Sequence, residues 1–238
     1  MSGPITTRLR SRSAVAADVY DLWFDVVEPA QVAFRAGQFV TLPVGTDAQG
    51  LALRRSYSIA SLSDRGEELR FIIRAIPGGA GTEYFLRLPP GSEVPMTGPH
   101  GFFVLSPQHP GDVVFGATGT GVAPVLPMLE ELRPRGEPGR RLLYWGLRQE
   151  SDLFLVPEVE AMCRATATEL SLYLSRPGEA WTGLRGRITA PILDALPRLQ
   201  TPTFYLVGNG HMISELKTKL VAAGVERKKY IRTEAFFD

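Results

Sequence analysis

The sequence predicts an antiparallel β-barrel followed by an α/β domain built on a parallel sheet. Up to residue 106 the chain reads as short apolar runs broken by Pro and Gly, the spacing of a small antiparallel barrel or sandwich. From residue 107 onward strand, turn and helix patterns alternate, which implies a parallel sheet with helices on both faces. At the start of that second part, residues 113–132 (VVFGATGTGVAPVLPMLEEL) run from a buried strand through a glycine-rich turn into a helix. The expected domains are 1–106 and 107–238, joined at residues 106–111 by the polar, proline-containing stretch SPQHPG, a loop composition.

In the first domain the candidate strands are 6–14, 19–27, 38–44, 55–60, 69–76 and 93–97, with one or two helical turns at 81–88. Residues 19–27, VYDLWFDVV, alternate imperfectly, as a half-buried strand does. In the second, strands at 113–117, 141–145, 170–174 and 204–207 are interleaved with helices at 124–132, 157–165, 189–196 and 212–222. The chain shows no internal repeat and no low-complexity tract.

Composition narrows the function classes. The 238 residues carry 26 basic and 25 acidic side chains, a net charge of +1. Such a balance gives no reason to bind nucleic acid or an anionic membrane, so recognition of an anion has to be local. No apolar run approaches the roughly 20 residues of a membrane span, and the N-terminus lacks the apolar core of a signal peptide, so a cytoplasmic protein is expected. Cys163 is the only cysteine, which excludes disulfides and a cysteine-ligated iron–sulfur cluster within this sequence. His100, His109 and His211 are far apart and lack ligand spacing, so no metal is expected.

Three stretches carry chemistry. In residues 113–132, Gly116, Gly119 and Gly121 tolerate positive φ and let a ligand approach the backbone, and Pro124 stands where a helix would start. Val125, Leu126, Met128, Leu129 and Leu132 then follow at helical spacing. The unpaired N–H groups of such a helix favour an anion, most often a pyrophosphate. Proline replaces the third glycine of the usual dinucleotide fingerprint, and no Lys follows as in a P-loop. The plain alternative is a tight turn with no ligand.

Residues 54–61, RRSYSIAS, place Arg55, Tyr57 and Ile59 on one strand face, and Ser56 and Ser58 on the other. That set can hold a phosphate and a stacked ring, or can be an ordinary exposed strand. Residues 77–82, PGGAGT, form a second glycine turn, with Thr82 as cap of a segment at 83–88. It either presents N–H groups to a second phosphate or is a flexible turn before a capped helix. Two phosphate cradles in domains of opposite architecture suggest two nucleotides bound across one interface.

These motifs, in this order, resemble the ferredoxin–NADP reductase superfamily of flavoproteins, and the resemblance covers nearly the whole chain. Arg55-Ser56-Tyr57-Ser58 resembles the R-x-Y-S motif, in which Arg holds a flavin phosphate, Tyr stacks on the isoalloxazine and Ser lies near the reactive nitrogen. Residues 78–82 resemble the flavin pyrophosphate turn, and Gly98-Pro99-His100-Gly101-Phe102 the motif closing the barrel. Gly119-Thr120-Gly121-Val122-Ala123-Pro124 resembles the nicotinamide pyrophosphate loop, with Thr120 near the junction of the cofactors. The resemblance implies bound FAD, less often FMN, and hydride transfer to it from NAD(P)H. The implied flavin-binding positions are Arg55, Ser56, Tyr57, Ser58, Arg74, Gly79, Gly81 and Thr82, and the implied coenzyme-binding positions Gly119, Thr120, Gly121 and Pro124.

The chain departs from the family where many members carry C-G-x-x. Here the stretch is Val207-Gly208-Asn209-Gly210, and valine cannot donate a hydrogen bond. The ending Glu234-Ala235-Phe236-Phe237-Asp238 resembles family termini in which an aromatic, Phe236 or Phe237, shields the flavin and an acid stands nearby. A plain edge strand with a buried Phe is the other reading of that ending. Ser58 and Glu234 are thereby the candidate catalytic groups. Arg148, Arg176 and Arg187 follow successive strands whose parallel ends share one rim. They are either solvated surface charges or, with Ser175, resemble the residues contacting the 2′-phosphate in NADP-linked relatives. NADPH is the expected coenzyme and NADH the alternative, since such arginines also serve NADH enzymes through the pyrophosphate.

The implied function is an FAD-dependent NADPH oxidoreductase, a monomer passing electrons singly to a separate ferredoxin or flavodoxin. Its rivals are a reductase of free flavin that supplies a monooxygenase, and a non-catalytic regulatory or electron-transfer subunit of a larger enzyme.

Overall fold

The computed structural model describes residues 3–62, 66–107, 111–133 and 139–236. The chain divides into two compact units, Met1–Val104 and Leu105–Asp238.

The first unit holds β1 (Gly3–Ala16), β2 (Val19–Glu28), β3 (Phe39–Thr46), β4 (Ala52–Ser58), β5 (Glu68–Arg74), α1 (Ala80–Arg87) and β6 (Glu93–His100). Its six strands form one antiparallel sheet in the order β4-β3-β6-β1-β2-β5. Just past β4 the Ala60 N–H donates to the Arg70 carbonyl of β5 at 2.8 Å. The two edge strands are thus drawn together, curling the sheet into the expected barrel. β1 bends along its partner β2 through irregularities between Thr6 and Thr7, Leu9 and Ser11, and Ala14 and Ala16, where an extra residue sharpens the local twist. Alternate side chains meet inside, where Phe24, Phe71, Phe85, Leu22, Leu42 and Ile59 are fully buried.

Strand β4 begins three residues before the expected 55. The Asp47 carboxylate accepts the N–H groups of Gln49 and Leu51 at 2.9 and 2.8 Å, an Asx turn that starts pairing at Ala52. Beside β4's exit, Asp21 and Arg70 form a buried bidentate pair at 2.8 and 2.9 Å. The guanidinium also lies 5.0 Å from the Trp23 ring centroid. Such a pair adds little net stability, but losing one partner is costly.

The second unit holds β7 (Val113–Thr118), α2 (Val125–Leu132), β8 (Arg141–Leu147), α3 (Val156–Ala165), β9 (Thr168–Leu174), β10 (Leu184–Arg185), α4 (Thr189–Ala195), β11 (Thr203–Gly208), α5 (Gly210–Ala222), α6 (Arg227–Tyr230) and β12 (Ile231–Ala235). All strands are parallel, in the order β10-β9-β8-β7-β11-β12. Strand order reverses at β7, so the C-terminal ends of β7 and β11 flank the crevice where open α/β sheets take ligands. Helices α4 and α5 cover one face through Ile192, Met212, Ile213, Leu216 and Leu220. On the other face Phe115 stacks on Tyr205 at 5.3 Å, and Trp145 meets the edge of Phe154 at 5.2 Å.

At the opposite end of this sheet the Asp112 side chain, 3% exposed, accepts the Arg140 N–H at 2.7 Å and the Gln200 N–H at 2.8 Å. One carboxylate therefore fixes the entries to β7, β8 and β11. Among the described residues no helix is long and apolar enough to cross a membrane, and no group of three or more His, Cys, Asp or Glu is placed to hold a metal ion.

Candidate functional site

In the first unit the site is built on β4 and α1. A β-turn leads into the helix: Gly79 N–H bonds the Ile76 carbonyl at 2.8 Å, with Pro77 and then Gly78 at φ +72°, the φ that only glycine takes without cost at that corner. Thr82 does not cap the helix as expected. The helix starts earlier, at Ala80 with Gly79 as cap, so the Thr82 hydroxyl instead accepts the Ile76 N–H at 2.7 Å, tightening the turn.

Gly81 is buried, and a Cβ there would overlap the Tyr57 hydroxyl and lie 3.5 Å from Arg55 Cγ. Two motifs far apart in sequence, R-S-Y-S and P-G-G-A-G-T, are therefore one surface. Tyr57 packs edge-on against Phe85 of α1 at 5.1 Å. Burial pushes its hydroxyl up to about 12, with the neighbouring Arg55 charge acting in the opposite sense. On β1, Arg12 donates to the carbonyls of Phe85 and Leu88 and so holds the C-terminal end of α1 to the barrel.

Arg55 is exposed and donates to the Arg54 carbonyl at 2.8 Å, which leaves guanidinium donors for an anion beside the first turn of α1. The Ser56 hydroxyl pairs with that of Thr41 at 3.1 Å, and Ser58 is half-buried opposite Phe39. Arg74 sits at the end of β5 in an ion pair with Asp18 at 2.7 Å.

In the second unit the glycine turn follows β7. Gly119, at φ +57°, has open space where a Cβ would stand, whereas a Cβ on Gly121 would lie 2.8 Å from the Val207 carbonyl oxygen. The first glycine exposes backbone, and the second lets the loop pack on β11. Residues Gly119–Val122 form a 3₁₀ turn, and Pro124 caps α2. Across the switch point the Thr118 hydroxyl accepts the Asn209 N–H at 2.8 Å. Asn209 in turn caps α5 by accepting the Met212 N–H at 3.1 Å, so that helix begins at Gly210, two residues before the expected start. Val207 is fully buried.

The expected arginines emerge from neighbouring strand ends. Arg176 N–H bonds the Arg148 carbonyl at 2.7 Å, and Gly186 N–H bonds the Leu174 carbonyl at 2.8 Å. Arg148, Ser175, Arg176 and Arg187 are all exposed, and the three guanidinium groups have no side-chain partner among the described residues. Arg185 differs: it donates to the carbonyls of Gly178 and Glu179 at 3.0 Å, and to that of Trp181. The Glu150 carboxylate accepts the Gly178 N–H at 3.0 Å. Glu234 of β12 stands beside Val207, and the Phe236 N–H bonds the Gly208 carbonyl at 2.7 Å, so β12 is an edge strand beside β11. Phe237, like His109, lies outside the described residues.

Residues 6–105 match the oxidoreductase FAD-binding domain and residues 115–218 the oxidoreductase NAD-binding domain. Ferredoxin–NADP reductase B of Sorangium cellulosum is 32% identical over 218 residues, covering 89% of this chain and 88% of that protein. The chain belongs to the ferredoxin–NADP reductase family. The reductase component of a Gordonia propane 2-monooxygenase is 31% identical over 159 residues, 66% of this chain but 45% of that protein, so the match spans less than half of that relative. Among solved structures, a cytochrome P450 reductase from Amycolatopsis superposes with a TM-score of 0.86 at 25% identity, covering 100% of this chain and 71% of that one. The chain is thus an NAD(P)H-dependent flavoprotein reductase with an FAD-binding and an NAD(P)-binding domain.

The residues present fit both groups. Around Gly81 an arginine with donors to offer adjoins a helix N-terminus, and Gly119 leaves its backbone open at the switch point, both suited to phosphate. Sequence reasoning missed Trp145, Asp112, Glu150 and Arg185, whose roles rest on which strand end lies beside which. Cys163 is buried and its thiol pushed up to about 11 by that burial, which keeps it protonated and inert at neutral pH.

Proposed function

We propose that the protein takes hydride from NADPH onto FAD and passes electrons singly to a separate carrier, a ferredoxin or a flavodoxin. The observation that carries this reading is the match to a ferredoxin–NADP reductase over 88% of that relative's length. A single cysteine in this sequence also means that an iron–sulfur centre reduced by this chain is not held by cysteines within these 238 residues. Bound FAD would supply the chemistry that links two-electron hydride uptake to one-electron release, and the residues of this chain would hold and tune it.

In this reading Arg55 and the first turn of α1 hold the FAD phosphates, and Tyr57 offers its ring to the isoalloxazine. Ser58 would donate a hydrogen bond from its hydroxyl to the flavin, and Glu234 of the second unit is the acidic catalytic candidate. The glycine turn at Gly119, Thr120 and Gly121 takes the coenzyme pyrophosphate. Arg176 and Arg187, with Arg148 and Ser175, favour the 2′-phosphate and hence NADPH over NADH. Their guanidinium groups, which have no side-chain partner among the described residues, support this preference.

The test is purification followed by turnover. The expected result is a yellow protein that keeps FAD through gel filtration and reduces cytochrome c with NADPH faster when ferredoxin is added. A colourless protein that turns over only with added free flavin would overturn the reading in favour of a flavin reductase. One that holds flavin but oxidises neither coenzyme would indicate a non-catalytic subunit.

A further inference from the structure

We infer that Trp145 is a positioning residue that fixes the orientation of the Gly119–Thr120 peptide and so keeps the glycine turn in its anion-binding form. Trp145 lies on β8 opposite Ala117 of β7, is fully buried, and meets the edge of Phe154 at 5.2 Å and 86°. Its indole Nε1–H reaches past the end of β7 and donates to the Gly119 carbonyl at 3.0 Å.

That bond acts with the 3₁₀ turn of Gly119–Val122 to set what the turn presents. A trans peptide is planar, so the carbonyl of one residue and the N–H of the next point in opposite directions. With the Gly119 oxygen drawn toward a buried indole, the Thr120 N–H is aimed away from the core. The competing arrangement of a glycine turn rotates this peptide about its long axis, as between turn types I′ and II′, which share a positive φ at the first central residue. Gly119, at φ +57° with open space where a Cβ would stand, sets no side chain against that rotation. The rotated peptide would present a carbonyl oxygen where the N–H now points, and would repel an anion. Of the aromatic side chains that fill such a site, Phe has no donor and Trp carries its N–H at the rim of a long, rigid ring. Trp145 thus acts through the loop and does not itself touch the coenzyme.

This inference rests on the reading of the turn as the pyrophosphate cradle, and the experiment separates the two. In FAD-loaded protein, Trp145→Phe is compared with Val159→Ala, a buried cavity in α3 that leaves the indole in place. Equilibrium binding is measured for NADP⁺, NAD⁺ and adenosine 2′-monophosphate, which lacks the pyrophosphate. For Trp145→Phe the dissociation constants of NADP⁺ and NAD⁺ are expected to rise together by about tenfold, as for one lost hydrogen bond to a charged group's cradle. Adenosine 2′-monophosphate and flavin content should be unchanged, and Val159→Ala should bind all three as the parent does. Unaltered NADP⁺ binding by Trp145→Phe, equal loss of adenosine 2′-monophosphate, or equal losses in Val159→Ala would each overturn the inference.

Nuclear magnetic resonance of the ¹⁵N-labelled parent needs no variant. The Trp145 indole N–H should exchange slowly with solvent, and the Thr120 amide should shift on adding NADP⁺. An unmoved Thr120 amide would sink the cradle and the latch with it; a shifted amide beside a freely exchanging indole would sink the latch alone.

Discussion

Replacing Arg176 and Arg187 by Ala should weaken NADPH far more than NADH, with no loss of fold. Both side chains are exposed and have no side-chain partner among the described residues. Their removal therefore breaks no ion pair, and the expected change in stability is below about 0.5 kcal/mol. Charge-assisted hydrogen bonds are worth roughly 1.5–3 kcal/mol, and exposure argues for the low end. About 1.5 kcal/mol is roughly tenfold in affinity for each arginine. The two would share one phosphate and so couple, which puts the double variant at about thirtyfold to a hundredfold. NADH has no 2′-phosphate to lose. The assay is kcat/KM for both coenzymes at fixed ionic strength, because loss of positive charge weakens every anion through the long-range field. Equal losses for NADH and NADPH would refute the clamp and leave these arginines serving the shared pyrophosphate or the overall field.

Arg55→Ala should lower retained FAD by about tenfold or more in affinity while leaving the barrel folded, since among the described residues its guanidinium donates only to the adjacent Arg54 carbonyl; a variant that stays fully yellow through dialysis would remove Arg55 from the site. Asp112→Ala strands the N–H groups of Arg140 and Gln200 and should cost roughly 2 kcal/mol or more in stability, read as a lower Tm, with the NADPH to NADH ratio unchanged. A shifted ratio at unchanged Tm would contradict the purely structural role. Tyr57 predicts an alkaline limit: its hydroxyl is pushed up to about 12 by burial, against about 10 for a free phenol. The folded state favours the protonated form, so this contribution is full below pH about 10 and is lost as pH rises through about 12. Urea unfolding across that window should fall more steeply for the parent than for Tyr57→Phe, and identical slopes would discount the group.

What could be read in advance was what depends on neighbours along the chain. The alternation in R-S-Y-S, the glycines after β7 and the helical spacing after Pro124 each lie within one stretch, and each was legible. The start of β4 was misjudged because an aspartate side chain, not strand propensity, ends its hairpin. Thr82 looked like a cap because Ser and Thr at helix starts usually are; the glycine pair before it begins the helix three residues sooner. Trp145 gave no signal, since an aromatic in a buried strand reads as core, and its N–H matters only once β8 is in register with β7. The two-residue β10 is too short to carry a period at all.

Arg185 has a practical bearing on attempts to change coenzyme. It stands two residues from Arg187 and looks interchangeable with it, yet its guanidinium is committed to the carbonyls of Gly178, Glu179 and Trp181. An engineer who neutralised every arginine on this rim would dismantle the very loop that displays Ser175 and Arg176, and would mistake a collapsed scaffold for a lost phosphate contact. A redesign toward NADH would keep Arg185 and Glu150 and vary only Arg148, Arg176 and Arg187, so that display and recognition are altered one at a time.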